Sequence, residues 1–213
     1  VALLFENESS PALTDLTIDG SALVGGFHGL LLGEQAANIK DVLIQGSLTA
    51  ENEFQVFGAT EVQSLTVIGG NEQDYFYANE AISIFTGGRG NDVFVFDDAS
   101  DAAARIEDGK VTAVDTITDF KKGDVLEASI SLTIIQPVTG VNYATLEEWL
   151  LKGNNNSALA AGSAFNFGGD AYIVATQAVA GDTSDQVASV DLIRLVGIDA
   201  TRLVENTGDI ILA

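Results

Sequence analysis

The sequence predicts an all-β chain: a parallel β-helix running into a β-roll, then a β-rich C-terminal cap with one short helix. Three observations carry that expectation. Val, Ile, Leu, Phe and Thr recur in short runs bounded by Gly, Asn and Asp, the spelling of strands and tight turns. A nine-residue pattern of Gly and Asp repeats in continuous register over residues 69–95. Upstream, core-type positions Ile18, Ile44, Val67 and Phe85 lie 26, 23 and 18 residues apart, each in a short strand that runs into a glycine turn. Rungs that shorten in this way describe a helix merging into a roll. Residues 1–100 are read as the coil and residues 101–213 as the cap.

The first rungs share one spelling. Asp15-Leu16-Thr17-Ile18-Asp19-Gly20-Ser21 matches Asp41-Val42-Leu43-Ile44-Gln45-Gly46-Ser47, and Ser64-Leu65-Thr66-Val67-Ile68-Gly69-Gly70 follows. Unrelated strands of a sandwich that happen to end in glycine are the alternative, and the shared spelling favours the coil.

The nonapeptides come next. Gly87-Gly88-Arg89-Gly90-Asn91-Asp92-Val93-Phe94-Val95 fills every fixed position of G-G-x-G-x-D-x-U-x. Its glycines permit φ > 0 and a tight turn that aims carbonyl oxygens at a cation. Asp92 adds a carboxylate, a hard oxygen ligand suited to Ca²⁺. Val93-Phe94-Val95 then forms a strand that drops Phe94 into the core. Gly69-Gly70-Asn71-Glu72-Gln73-Asp74-Tyr75-Phe76-Tyr77 fits the same template, with Glu72 in place of the third glycine. Between them residues 78–86 keep the apolar position as Phe85 but carry Ser83 where the Asp would stand.

Two nonapeptides complete one turn of such a coil, so residues 18 apart stack, and Asp74 and Asp92 are 18 apart. The spacing predicts that they share one Ca²⁺. Gly70, Gly87, Gly88, Arg89 and Gly90 supply the loop around it, with carbonyls of Gly70, Gly87 and Arg89 in the shell. The edge carrying Ser83 is expected to hold no ion. A plain β-hairpin with Gly-rich turns explains neither the register nor the stacked pair. These residues resemble the repeats-in-toxin (RTX) family of secreted calcium-binding proteins. That resemblance implies a β-roll, bound Ca²⁺ and export through the type I secretion apparatus.

Asp97-Asp98-Ala99-Ser100-Asp101, with the stretch to Lys110, reads as an acidic loop without EF-hand spacing. Residues 114–126 contain Asp115-Thr116-Ile117-Thr118-Asp119-Phe120-Lys121-Lys122-Gly123-Asp124. This segment resembles the D-x-I-x-D-F-x-x-G-D stretch that follows the nonapeptides in serralysin-type proteins. It reads as a half-buried strand with Val114 and Ile117 facing away from Thr116 and Thr118, and Asp115, Asp119 and Asp124 are candidates for a terminal calcium site. The helix is expected over residues 145–152. Thr145 with Glu148 spells a capping box, Gly153 closes it, and Leu146, Trp149 and Leu150 share one face. Residues 153–161 read as a polar loop containing the sequon Asn155-Asn156-Ser157. Strands return at residues 171–176 and 189–197. The final Gly208-Asp209-Ile210-Ile211-Leu212-Ala213 resembles the end of type I secretion substrates, and a terminal strand has the same look.

Composition bounds the function. The 213 residues hold 31 Asp and Glu against 9 Lys and Arg, a formal net charge of −22. That excludes nucleic acid and anionic membrane surfaces as partners, since both need positive charge. It suits a chain that collects divalent cations and repels itself without them. Without Cys there is no disulfide or thiolate chemistry, and no apolar run reaches the ~20 residues of a membrane helix. No signal peptide is visible, and a chain without Met that begins at Val1 reads as a piece of a longer polypeptide. No catalytic constellation emerges. The lone histidine, in Gly25-Gly26-Phe27-His28-Gly29, reads as a turn residue, and neither a zinc motif, a nucleophile elbow nor a P-loop is present. Nothing in the spacing selects a glycosidase pair of carboxylates.

The expectation is a calcium-binding structural domain of a secreted bacterial cell-surface protein. Its Thr-, Ser- and Val-rich rungs resemble those of type I-secreted S-layer proteins, in which Ca²⁺ orders the fold and lattice self-association follows. The calcium-binding export domain of a secreted protease or lipase, and the end of an RTX adhesin, stand beside it.

Overall fold

The computed structural model of the chain describes residues 3–5, 14–32, 39–57, 62–97, 101–136, 143–153, 157–181 and 186–213. As the sequence predicts, it is all-β in class, two mixed sheets with one α-helix among the described residues. In the first sheet β1 (Leu3–Phe5), β3 (His28–Leu32), β5 (Asn52–Phe57), β7 (Asp74–Tyr77), β9 (Val93–Phe96) and β12 (Val125–Ala128) pair in parallel, in that order. In the second, β2 (Asp15–Asp19), β4 (Asp41–Gln45), β6 (Ser64–Ile68), β8 (Ile82–Thr86) and β11 (Lys110–Ile117) do the same. From β1 to β9 consecutive strands alternate between the sheets, so the chain passes back and forth across one shared core.

Alternation within each strand sends every second side chain into that core. The anticipated apolar positions pair directly: Ile18 with Ile44, Ile44 with Val67, Val67 with Phe85, and Phe85 with Ile117. Opposite them runs a file of phenylalanines. Ring centroids of Phe27, Phe54, Phe76 and Phe94 are separated by 5.7, 4.9 and 4.9 Å, and Phe120 follows at 6.1 Å. Phe85 reaches across from the second sheet to Phe76 at 5.4 Å. The 18-residue offset is literal here, since Tyr75, Phe76 and Tyr77 pair with Val93, Phe94 and Val95.

The C-terminal strands extend both sheets. β16 (Val187–Leu195) pairs in parallel with β11, and β15 (Asp170–Ala180) and β14 (Ser163–Phe167) follow antiparallel, with β13 (Thr133–Ile134) at the edge. β18 (Asp209–Leu212) joins β12 antiparallel and is flanked by β17 (Leu203–Asn206). The final residues are therefore a strand with Ile210 and Leu212 in the core. A second hydrophobic cluster forms around α1 (Leu146–Lys152), where Trp149 stacks on Phe165 at 4.9 Å. The Thr145 half of the predicted capping box is present, Oγ1 accepting from Glu148 N–H at 3.2 Å, while Glu148 Oε2 accepts from Ala144 N–H at 2.7 Å instead of from the Thr145 amide. Among the described residues no helix is long and apolar enough to cross a membrane.

Three expectations change. The acidic stretch before Lys110 is a hairpin, not a loop: β10 (Ala104–Glu107) pairs antiparallel with β11. Asp108 and Gly109 both have positive φ, 51° and 76°, the two-residue turn that Asp-Gly favours. Val114 does not share a face with Ile117, because they are three positions apart in a strand of period two. It packs against the second cluster, while Asp115 accompanies Ile117 inward. His28 begins β3 rather than sitting in a turn, with Nδ1 3.8 Å from Glu53. The sequon asparagines, residues 155 and 156, and Asp98 of the acidic stretch lie outside the described residues.

Candidate functional site

The turns that lead into β7, β9 and β12 are stacked. Glycine serves two separate demands in them. Gly88 and Gly90 have φ of 88° and 104°, where other residues are strained. Gly69, Gly70 and Gly87 lack positive φ and are required by close approach. A side chain on Gly69 would strike the Asp74 carboxylate and the Gly87 carbonyl, and one on Gly87 would strike the Asp92 carboxylate.

That close approach builds a column of Asx side chains, each capping the backbone of the rung before it. Asn52 Oδ1 accepts from the Phe27 and Ser47 amides, both at 2.9 Å. Asp74 Oδ1 accepts from Asn52 N at 2.8 Å and from Asn52 Nδ2 at 2.7 Å, and Asp74 Oδ2 accepts from Gly70 N at 2.6 Å. Asp92 Oδ1 accepts from Asp74 N at 3.1 Å. Asp124 Oδ1 accepts from Asp92 N at 3.0 Å. All four side chains are buried. At the end of the column Lys121 Nζ lies 3.0 Å from Asp92 Oδ2 and 3.0 Å from Asp124 Oδ1.

Burial dominates the electrostatics. It pushes Asp92 up to about 6, against the opposing pull of the Lys121 bond. It raises Asp74 despite its N–H partners. It raises Asp115 well above the ordinary carboxylate range. Lys121 is raised: burial alone would lower it, and the bonds to Asp92 and Asp124 outweigh that.

The sequence-predicted residues divide into two groups. Gly70, Asp74, Gly87, Gly88, Arg89, Gly90, Asp92, Asp119 and Asp124 come together in the stacked turns. Arg89 N donates to the Gly70 carbonyl at 3.0 Å, and Asp119 accepts from the Gly87 and Gly88 amides, both at 2.8 Å. Asp115 lies elsewhere. Its carboxylate accepts from Ser83 N at 2.5 Å and Ala103 N at 2.6 Å, at the start of β8, whereas Asp119 binds the turn that follows that strand. Of the three aspartates expected around a terminal calcium, Asp119 and Asp124 therefore share the turn between β8 and β9, and Asp115 serves another edge. Among the described residues no three Asp, Glu or His side chains form a ready metal centre.

A carboxylate offers about four lone-pair positions. Among the described hydrogen bonds Asp74 uses three, two on Oδ1 and one on Oδ2. Asp92 uses one on each oxygen. Acceptor capacity remains on both, and the Gly87 carbonyl and Asp74 Oδ2 both close over Gly69, each in the way of a Cβ there. The donor set is all oxygen, as Ca²⁺ prefers.

Sequence reasoning missed Asn52 and Lys121. Asn52 stands six positions after Gly46, where Asp74 and Asp92 stand five after Gly69 and Gly87, so the extra residue hides the match. Lys121 gives no signal until two turns are stacked. No protein-family model and no curated protein matches the chain.

Proposed function

We propose that the chain is a calcium-binding structural domain of a secreted, cell-surface protein of the S-layer kind, with Ca²⁺ ordering the fold and promoting assembly. The observation that carries this reading is the column of Asp74, Asp92 and Asp124, three buried carboxylates in stacked turns, of which Lys121 bonds Asp92 and Asp124 and leaves Asp74 without a cation among its described partners. Burying an ionised carboxylate costs several kcal/mol unless a cation compensates it. At Asp74 the described partners are neutral N–H groups, and burial holds its carboxyl above its ordinary range. Asp74 and Asp92, with the Gly87 carbonyl that closes over Gly69 as Asp74 Oδ2 does, are the residues that would hold the ion. Bound Ca²⁺ would supply positive charge that offsets the cost of burying both as carboxylates. Their N–H bonds meanwhile hold the carboxylates in place from rung to rung.

Circular dichroism and thermal melting in EDTA, then in excess Ca²⁺, test the reading. Metal-free protein is expected to lose part of its β signal and regain it with Ca²⁺, and Mg²⁺ is expected to substitute poorly because it holds its water and demands octahedral geometry. An unchanged spectrum and melting curve overturn it. A double-mutant cycle on Asp74→Ala and Asp92→Ala locates the ion. Shared ligation makes the loss of calcium affinity in the double variant smaller than the sum of the single losses, and strict additivity places the residues at separate sites.

A further inference from the structure

We propose that the Lys121 ammonium group is a resident cation: it closes the Asp92–Asp124 interval of the column in the place of a divalent ion, and so confines calcium uptake to the Asp74–Asp92 interval. The inference rests on the calcium reading above and adds to it a determinant of how many ions the column takes.

The geometry is that of a bridging cation. Lys121 Nζ meets three oxygens from two successive rungs: Asp92 Oδ2 at 3.0 Å and Asp124 Oδ1 and Oδ2 at 3.0 and 3.3 Å. An ammonium has three N–H donors and no acceptor, so all three of these oxygens can be served at once. Both carboxylates have no exposed side-chain surface, while the lysine is 37% exposed and enters from the rim. Its backbone is held on both sides. Lys121 N–H donates to Asp124 Oδ2 at 3.0 Å, Asp119 grips the Gly87 and Gly88 amides, and Phe120 is buried beside Phe94.

The neighbouring turns do not repeat the arrangement. Arg89 stands three residues before Asp92, as Lys121 stands three before Asp124, yet Arg89 is exposed. Asn71, at the same offset before Asp74, is exposed and donates to the Leu48 carbonyl at 2.7 Å. The donors described at Asp74 are the Asn52 and Gly70 N–H groups, all neutral. Both carboxylates of the Asp92–Asp124 interval thus meet a positive charge, whereas Asp74, the far side of the other interval, meets only dipoles.

The experiment compares the whole chain with Lys121→Met and with Lys122→Met, which removes the same charge from an exposed position in the same turn. Each protein is stripped with EDTA and refolded, bound Ca²⁺ is counted by equilibrium dialysis, and melting is followed without and with Ca²⁺. Lys121→Met is expected to bind one more Ca²⁺ per chain than its parent. Its metal-free form is expected to melt lower by roughly 5–10 °C, since it leaves two buried carboxylates facing each other, and Ca²⁺ should close that gap. Lys122→Met should match the parent. If metal-free Lys121→Met does not fold, refolding in Ca²⁺ followed by native mass spectrometry still counts its ions. Equal ion counts in Lys121→Met and parent overturn the proposal, as does an extra ion in Lys122→Met. A parent that binds no Ca²⁺ beside a Lys121→Met variant that binds one would sink the Asp74–Asp92 reading and leave the lysine assignment standing.

Discussion

At Asp92 burial and hydrogen bonding pull in opposite directions, and burial prevails. Its carboxyl is pushed up to about 6, well above the value expected in an unfolded chain. The linkage has a definite sign. A carboxyl that binds its proton more tightly when folded adds stability that is complete below the unfolded value of about 4 and is lost as pH climbs through the folded value near 6. Metal-free protein is therefore expected to melt at a higher temperature at pH 5 than at pH 7. Part of that trend belongs to the net charge of −22 and to Asp74, Asp115 and Asp191, which burial also raises. Asp92→Asn isolates the remainder, because it keeps the shape and removes the titration. Melting curves between pH 4 and 7 in EDTA should be flatter for the variant, and parallel curves would show that Asp92 contributes nothing in that window.

Among the strands, packing and turn geometry fail in distinguishable ways. Phe76 is fully buried, with rings of Phe54 and Phe94 at 4.9 Å and Phe85 at 5.4 Å. Removing its ring leaves a cavity in the file that joins both sheets, and Phe76→Ala should cost about 3–5 kcal/mol with or without Ca²⁺. Gly88→Ala attacks the turn instead. It forces a side chain into a positive φ and against the Gly70 carbonyl of the turn above. It is expected to cost more than about 1 kcal/mol and to weaken calcium binding as well. Urea unfolding in EDTA and in Ca²⁺ separates the two. Equal losses of calcium affinity in both variants would contradict the division of labour between core and turn.

For the molecule as a whole, charge sets the terms of association. A net charge of −22 opposes contact between copies, and a divalent ion both screens and bridges carboxylates. The proposed surface role predicts that excess Ca²⁺ drives concentration-dependent assembly beyond what Mg²⁺ produces, measured by light scattering at matched ionic strength. A chain that stays monomeric in Ca²⁺ would count against the lattice role while leaving calcium-dependent folding intact.

Much of this was written in the spacing of the residues. The offset of 18 between Asp74 and Asp92 is a repeat length, and a repeat length becomes a register once strands stack in parallel. The same holds for Ile18, Ile44, Val67 and Phe85, whose shared spelling before glycine anticipated their pairing. Thr145 with Glu148 is equally local, since a cap involves residues three apart. The D-G turn of the β10–β11 hairpin was local too, and acidity masked it. Other features had no such code. Asn52 joins the column only because its strand lies beside Asp74, across 22 residues, and Asp115 reaches Ser83 across 32. Lys121 meets Asp92 across 29 residues, and nothing in its own neighbourhood distinguishes it from exposed Lys122. Repetition fixes which strands neighbour one another because apolar burial rewards a constant period. Which polar groups then meet inside the stack depends on the depth and direction of each turn, and those are settled only when the sheets close over the carboxylates and leave one lysine within reach.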